Sequence, residues 1–251
     1  MRAMPLLTFI LLPFGASLIA ALVPREVRKA TPIIAGIASV AALVGNILTF
    51  PSLANGQVLT QRISWIPSMG LDLVLRLDGF SWLFCLLIFG IGALVVLYAH
   101  YYLSSSDPAP RFFSMFLAFM GAMAGVVLSG NLLQLVFFWE LTSITSFMLI
   151  GYWYHRKDAQ RGARMALTVT GAGGFALLAG VLILGQIVGS YDLDVVLASR
   201  ELVQASPLYP VVLILVLLGA FTKSAQFPFM FWLPNAMAAP TPVSAYLHSA
   251  T

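Results

Sequence analysis

Long apolar runs, broken by short polar stretches, dominate the chain. One helical bilayer crossing needs about 20 consecutive apolar residues. Runs of this kind occupy residues 5–23, 33–50, 80–102, 112–129, 132–154, 165–189 and 208–233. An eighth helix is expected to start near Pro242, where Thr251 cuts it too short to span. Between Gln61 and Asp78 the pattern changes. The stretch LDLVLRLD alternates strictly, and residues 67–70 supply turn residues between two short apolar segments. Period-two alternation marks a half-buried strand, so a small hairpin is expected on the outer face of the bundle. Gly130–Asn131 is a turn dipeptide that makes spans four and five a tight antiparallel pair. The pattern therefore predicts an all-α polytopic membrane protein of seven transmembrane helices and the start of an eighth.

Composition agrees. Of 251 residues, 60% are apolar and only 9% are charged, against roughly 25% charged in an ordinary soluble domain. Such a chain cannot cover its own surface with polar groups, which disfavours soluble enzymes, disordered tails and disulfide scaffolds and makes the lipid bilayer its expected surroundings. The net charge of +4 does not point to nucleic acid, because the bases are scattered among short loops. A lone cysteine, Cys85, excludes an intrachain disulfide and a cysteine-rich metal site, and within LFCLLIFG it reads as packing. No nucleotide loop or other cofactor signal is present, so neither a cofactor nor a metal is expected. The first run follows Arg2 as a signal peptide would. It is longer than a usual apolar signal segment, lacks a clear cleavage site and precedes six more spans, so it counts as a helix.

Basic residues in alternate loops set the orientation. One set of loops holds Arg25, Arg28, Lys29, Arg111, Arg156, Lys157, Arg161 and Arg164; the other holds Arg2, Arg62, Arg76 and Arg200. The positive-inside rule makes the first set cytoplasmic and the N-terminus external.

Two ionisable residues fall inside spans. Glu140 stands eight residues into the fifth run, roughly 12 Å from its start at 1.5 Å per residue. Lys223 stands fifteen residues after Leu208, deep in the seventh run. An ionisable group at that depth costs about 2.5–3.5 kcal/mol on insertion scales. Leu or Phe would pack better, so a proton or ion path is the expected reason for both; a purely structural ion pair is the alternative for Glu140, and snorkelling, with too short a reach, for Lys223. Pro228 cannot donate to the carbonyl of Ser224, which frees that carbonyl beside Lys223. Broken helices at membrane depth line protein or water-filled cavities and often frame transporter sites, whereas a plain kink is the simpler reading. Beyond the break, Thr241 is a candidate N-cap with Pro242 at the first helical position. His248 falls nearly two turns into that helix and titrates in a range suited to relaying protons, although a packed interior histidine is also compatible.

Other features have structural readings. Asp78 heads span three as an N-cap, and His100 sits in that helix's last turn. The pair Gly121 and Gly125, and the cluster Gly171, Gly173 and Gly174, allow close helix approach. Trp139 and Trp153 belong to membrane-interface aromatics.

Three segments carry a resemblance to a known family: FWELTSITSFMLIGYWYH around Glu140, GAFTKSAQFPFMFWLPNAM around Lys223, and APTPVSAYLHSAT around His248. Together with LDGFSWLF and IGALVVLYAHYYL in span three, they resemble the large A-type chain of Mrp multisubunit cation/proton antiporters. The likeness covers residues 78–251. Antiporter-like proton-pumping subunits of respiratory NADH:quinone oxidoreductase share the pattern less closely. The resemblance implies two inverted five-helix repeats, of which only the first is visible. It implies that Glu140 and Lys223 form a charge pair whose opening and closing modulates lysine protonation, and that His248 passes protons onward. The chain then divides into 1–78 (helices one and two with the hairpin), 79–111 (helix three and its loop) and 112–251 (the first repeat, cut short). Members continue for many helices beyond the histidine, so the chain is expected to be a fragment.

The implied function is secondary transport rather than enzyme catalysis. A bacterial cell-membrane complex with other subunits would exchange protons for Na⁺ or K⁺ through Glu140, Lys223 and His248. A cofactor-free pumping subunit of a redox enzyme and a non-transporting scaffold are the alternatives.

Overall fold

The computed structural model describes residues 5–66 and 71–250. Arg2, the expected turn at 67–70 and Thr251 lie outside the described residues. Helices α1 (Leu7–Leu22), α2 (Ala30–Ala54), α3 (Gly79–Tyr102), α4 (Ala109–Val127), α5 (Leu132–Ile150) and α6 (Lys157–Val188) follow one another, with strands β1 (Leu59–Ile66) and β2 (Leu71–Leu77) between α2 and α3. Short helices α7 (Leu193–Ala198) and α8 (Arg200–Ala205) lead into α9 (Tyr209–Lys223), α10 (Trp232–Ala236) and α11 (Thr241–Ala250). Among the described residues, five helices, α2 to α6, are long and apolar enough to cross a membrane. Apolar α1 and α9 are shorter, at 16 and 15 residues.

Two differences from the sequence expectation stand out. The run over 208–233 is not one helix: α9 stops at Lys223. Ala225 takes a left-handed backbone with φ of 51°, which ends the α-helical ladder, and Pro228 has no amide to resume it. A 3₁₀ turn, Phe229–Phe231, and α10 follow. Secondly, α11 begins at Thr241 itself, so the cap position falls on Pro240, whose carbonyl accepts from the Val243 and Ser244 amides. The Thr241 hydroxyl instead donates to Tyr102 Oη at 3.2 Å.

Helix α4 supplies the core. Phe112, Phe113, Phe116 and Phe119 are fully buried; the Phe112 ring meets Phe113 and Tyr152, and Phe116 and Phe119 meet Tyr246. Its glycines admit neighbours: a Cβ on Gly121 would lie 3.0 Å from the Phe14 ring of α1, and one on Gly125 2.2 Å from the Phe138 ring of α5. The outward faces of α1 to α3 carry exposed Leu18, Ile33, Ile37, Leu94 and Leu97. An apolar surface this extensive belongs against lipid or a partner.

At the end of the bundle where α3 and α5 begin, β1 and β2 pair antiparallel, and β2 continues its hydrogen bonding into the α4–α5 turn. There the Arg76 amide donates to the Leu128 carbonyl at 2.9 Å and the Gly130 amide to the Val74 carbonyl at 2.8 Å. Ion pairs fasten the same region: Arg62 meets Asp72 and Asp192, and Arg76 meets Asp78 and Asp194. Asp78 caps α3 in a reciprocal box with Ser81, as its place before the apolar run implies. Burial pushes the Asp78 carboxyl up, but the Ser81 amide and hydroxyl and the Arg76 guanidinium outweigh that push and hold it below the usual aspartate range.

Candidate functional site: a lysine held by hydroxyls beside a half-buried glutamate

Helix α5 starts cleanly because the Asn131 side chain accepts from the Leu133 and Gln134 amides at 2.9 and 3.3 Å. From that start, Glu140, Thr142 and Ser143 fall within one turn. Helix α6 packs on both α5 and α9. Its two adjacent glycines receive a side chain from each neighbour. A Cβ on Gly173 would lie 1.7 Å from Thr222 Oγ1 of α9, and one on Gly174 1.5 Å from Glu140 Oε1 of α5. A second close approach, of Gly219 to the Gly173 carbonyl, brings α9 against α6 at the same level.

Lys223 ends α9 and reaches across to α5. Its ammonium donates to Thr142 Oγ1 at 2.6 Å and to Ser143 Oγ at 3.0 Å, and lies 5.5 Å from the centre of the Trp139 ring. Both hydroxyls send their own protons to the Trp139 carbonyl, at 2.7 and 3.3 Å, which turns oxygen lone pairs toward the lysine. Trp139 therefore faces this cation, whereas the sequence placed it among interface aromatics.

Glu140 is close enough to Lys223 for the two charges to interact, yet no nitrogen–oxygen contact within 4.0 Å joins them. Its Oε1 is buried without a hydrogen-bond partner. Native interiors rarely leave such an oxygen unmet. The ammonium is thus held by two hydroxyls, with the Glu140 carboxylate beside it and no ion pair between them.

The break after α9 is stitched rather than loose. Trp232 Nε1 donates to the Thr222 carbonyl at 2.8 Å, and the Gln226 amide to the Phe221 carbonyl at 2.9 Å, satisfying two groups freed where the helix ends. Ser224 and Pro228 are exposed, and the Ser224 hydroxyl donates back to Ala220 at 2.8 Å. They mark the interruption, while the ammonium's hydrogen bonds go to Thr142 and Ser143. His248 is exposed on α11, a helix held to α3 by the bond from Tyr246 Oη to the Ile88 carbonyl at 2.9 Å. Among the described residues no hydrogen bond links His248 to Glu140 or Lys223. No group of three or more acidic, histidine or cysteine side chains that could hold a metal occurs among them either.

The chain is similar to known proteins over most of its length. Residues 129–251 match the family model described as NADH:quinone oxidoreductase/Mrp antiporter, TM, and residues 64–113 match that of NADH-ubiquinone oxidoreductase (complex I), chain 5 N-terminus. The A/B-type chain of a probable K(+)/H(+) antiporter from Rhizobium meliloti is 60% identical over 97% of this chain and 24% of its own length. The structure of the Mrp complex from Dietzia sp. superposes with a TM-score of 0.84 and 33% identity, over 97% of this chain and 26% of that one. The chain belongs to the family of A-type Mrp antiporter subunits. The A-type chain of a Na(+)/H(+) antiporter from Alkalihalophilus pseudofirmus is 51% identical over 79% of this chain and 25% of its own length. The chain spans about a quarter of the Mrp subunits it matches. An archaeal membrane-bound sulfane sulfur reductase shares the fold, with a TM-score of 0.77 at 20% identity over 97% of this chain and 51% of that one.

Proposed function

We propose that this chain forms part of the proton-translocating membrane subunit of an Mrp-type complex that exchanges protons for Na⁺ or K⁺ across a bacterial cell membrane, with its N-terminus outside. The observation that carries this reading is the Glu140–Lys223 arrangement. A base at the end of an interrupted helix is held by two neutral hydroxyls, with an unpaired buried carboxylate oxygen beside it. Such a lysine has two competing sets of acceptors within one helical turn of α5. With the hydroxyls it is separated from the acid; rotation toward Glu140 closes the ion pair. The differential stability of these arrangements in the two protonation states is the switch that couples proton transfer to conformation. His248, remote from the lysine in hydrogen-bonding terms, serves as a later station that further chain or water must connect. Residues 112–251 are then the first antiporter-like repeat.

The relatives' names favour antiport over redox-driven pumping, since those 60% and 51% identical are both called antiporter subunits. The test is cation-dependent proton flux in inverted membrane vesicles carrying the intact complex. Glu140→Gln and Lys223→Met should each sharply lower, to a still measurable level, the flux driven by Na⁺ or K⁺ while the complex still assembles. Wild-type flux in both variants would remove the reading.

A further inference from the structure

At the opposite end of the bundle from the hairpin, where α2 begins and α3 ends, lies a cavity of about 340 Å³. Arg28, Lys29, His100 and Ser105 line it, with Pro32 and Phe113 as apolar walls, and no carboxylate among the described lining residues. The α3–α4 loop acid, Asp107, is already engaged, accepting from the Ser104 amide at 3.0 Å, the Ser104 hydroxyl at 2.8 Å and Trp153 Nε1 at 3.2 Å. Arg28 is only partly satisfied. Its Nη2 makes a long bond of 3.4 Å to the Leu103 carbonyl, and its Nη1 is buried with no hydrogen-bond partner. A guanidinium nitrogen in that position lacks an acceptor, and a phosphate oxygen is the acceptor its geometry suits best.

A second hollow, of about 430 Å³, opens from the same two residues, Pro32 and His100, and runs between α2 and α3. This one is apolar, walled by Ile33, Val40 and Leu97. Gly36 keeps it open: a Cβ there would meet nothing nearer than Val96 Cγ1 at 4.0 Å. A basic chamber at the end of the helices thus passes into an apolar trough running along them. The trough belongs to the face on which Ile33, Ile37 and Leu94 stand exposed.

The geometry points to a binding site for an anionic phospholipid, its phosphate among Arg28, Lys29 and His100 and one acyl chain in the α2–α3 trough. A free phosphate explains the chamber but not the trough. A helix from another chain explains the trough but not the unmatched basic charge at its end. Basic pockets between membrane helices hold anionic headgroups on this principle. The site requires the chain to lie in a membrane, and it is independent of the reading of Glu140 and Lys223.

Native mass spectrometry of the purified intact complex tests it, with phosphatidylglycerol as the probe and inorganic phosphate as competitor. Lys29 is exposed, and Gly36 borders open space, so both positions accept substitution. Lys29→Gln should lower phosphatidylglycerol retention about fivefold, and Arg28→Gln with Lys29→Gln further. Gly36→Leu should lower it as well by filling the trough, and phosphate should not displace the lipid. Unchanged retention in all three variants overturns the site. Displacement by phosphate together with indifference to Gly36→Leu identifies a free-anion site and also overturns it. Loss of a neighbouring chain from the Gly36→Leu complex with lipid retained makes the trough a helix contact and overturns it equally.

Discussion

The carboxylate of Glu140 lies against the bare backbone of Gly174, so close that a Cβ there would sit 1.5 Å from Oε1. The glycine is thus the floor on which the acid rests. Gly174→Ala must turn Glu140 out of its rotamer or part α5 from α6, at about 1–3 kcal/mol for overpacking of this kind. Because the acid moves relative to Lys223, cation-driven proton flux in vesicles should fall on the order of tenfold, the equivalent of about 1.4 kcal/mol. Gly171→Ala, on the same helix with nothing within 4 Å of its Cβ, should leave flux unchanged.

Removing the hydroxyls takes away the acceptors that hold Lys223 in this structure and leaves its cation only the Glu140 carboxylate to turn to. Thr142→Val with Ser143→Ala should destabilise the complex by about 1.5–3 kcal/mol, the range for hydrogen bonds to charged groups. Thermal unfolding in detergent reads this. Adding Lys223→Met should restore stability, because a buried charge left alone is worse than an apolar side chain of similar volume. A double variant as stable as the native protein would mean the hydroxyls do not hold the lysine.

Particular residues show what the sequence made legible. Glu140 and Lys223 stand out because a charge inside an apolar run has no structural excuse, and Asp78 because a cap has a fixed place before a helix. The hydroxyls of Thr142 and Ser143 are ordinary in any helix, where they bond to their own backbone. Only the fold, by ending α9 at Lys223, brings a third partner to them. The run of hydroxyl residues in ELTSITS was the available signal. Gly173 and Gly174 were legible as sites of close approach, but which side chain each receives depends on how α6 crosses α5 and α9. The interruption was legible from Pro228, but its onset as early as Lys223 was not, because residues on both sides of Lys223 are equally apolar and hydropathy carries no record of the backbone turn at Ala225. Helices α7 and α8 were missed because their segment, 193–205, is short and mixed in polarity.

Asp78 makes the hairpin end of the bundle acid-sensitive. Its carboxyl is held below the ordinary aspartate value of 3.8 in the folded chain. A depressed acid contributes its stabilisation fully above the unfolded value and loses it as pH falls through the folded one. Protection factors, corrected for the intrinsic exchange rate, in the first turn of α3 and in β2 should therefore fall below that ordinary value and stay level between pH 5 and 8. Asp78→Asn keeps a capping oxygen and should flatten the dependence. Unaltered acid sensitivity in that variant would assign the effect to other carboxylates.

A double-mutant cycle in flux bears on whether Glu140 and Lys223 act as one unit. Residues that work together are strongly non-additive, whereas independent ones multiply their effects. Cation-dependent proton flux should be measured for Glu140→Gln, Lys223→Met and the double variant, each in the fully assembled complex. If the acid and the base form one proton site, the double variant will be no worse than the more damaging single one. Losses that multiply, or single variants that transport normally, would contradict it.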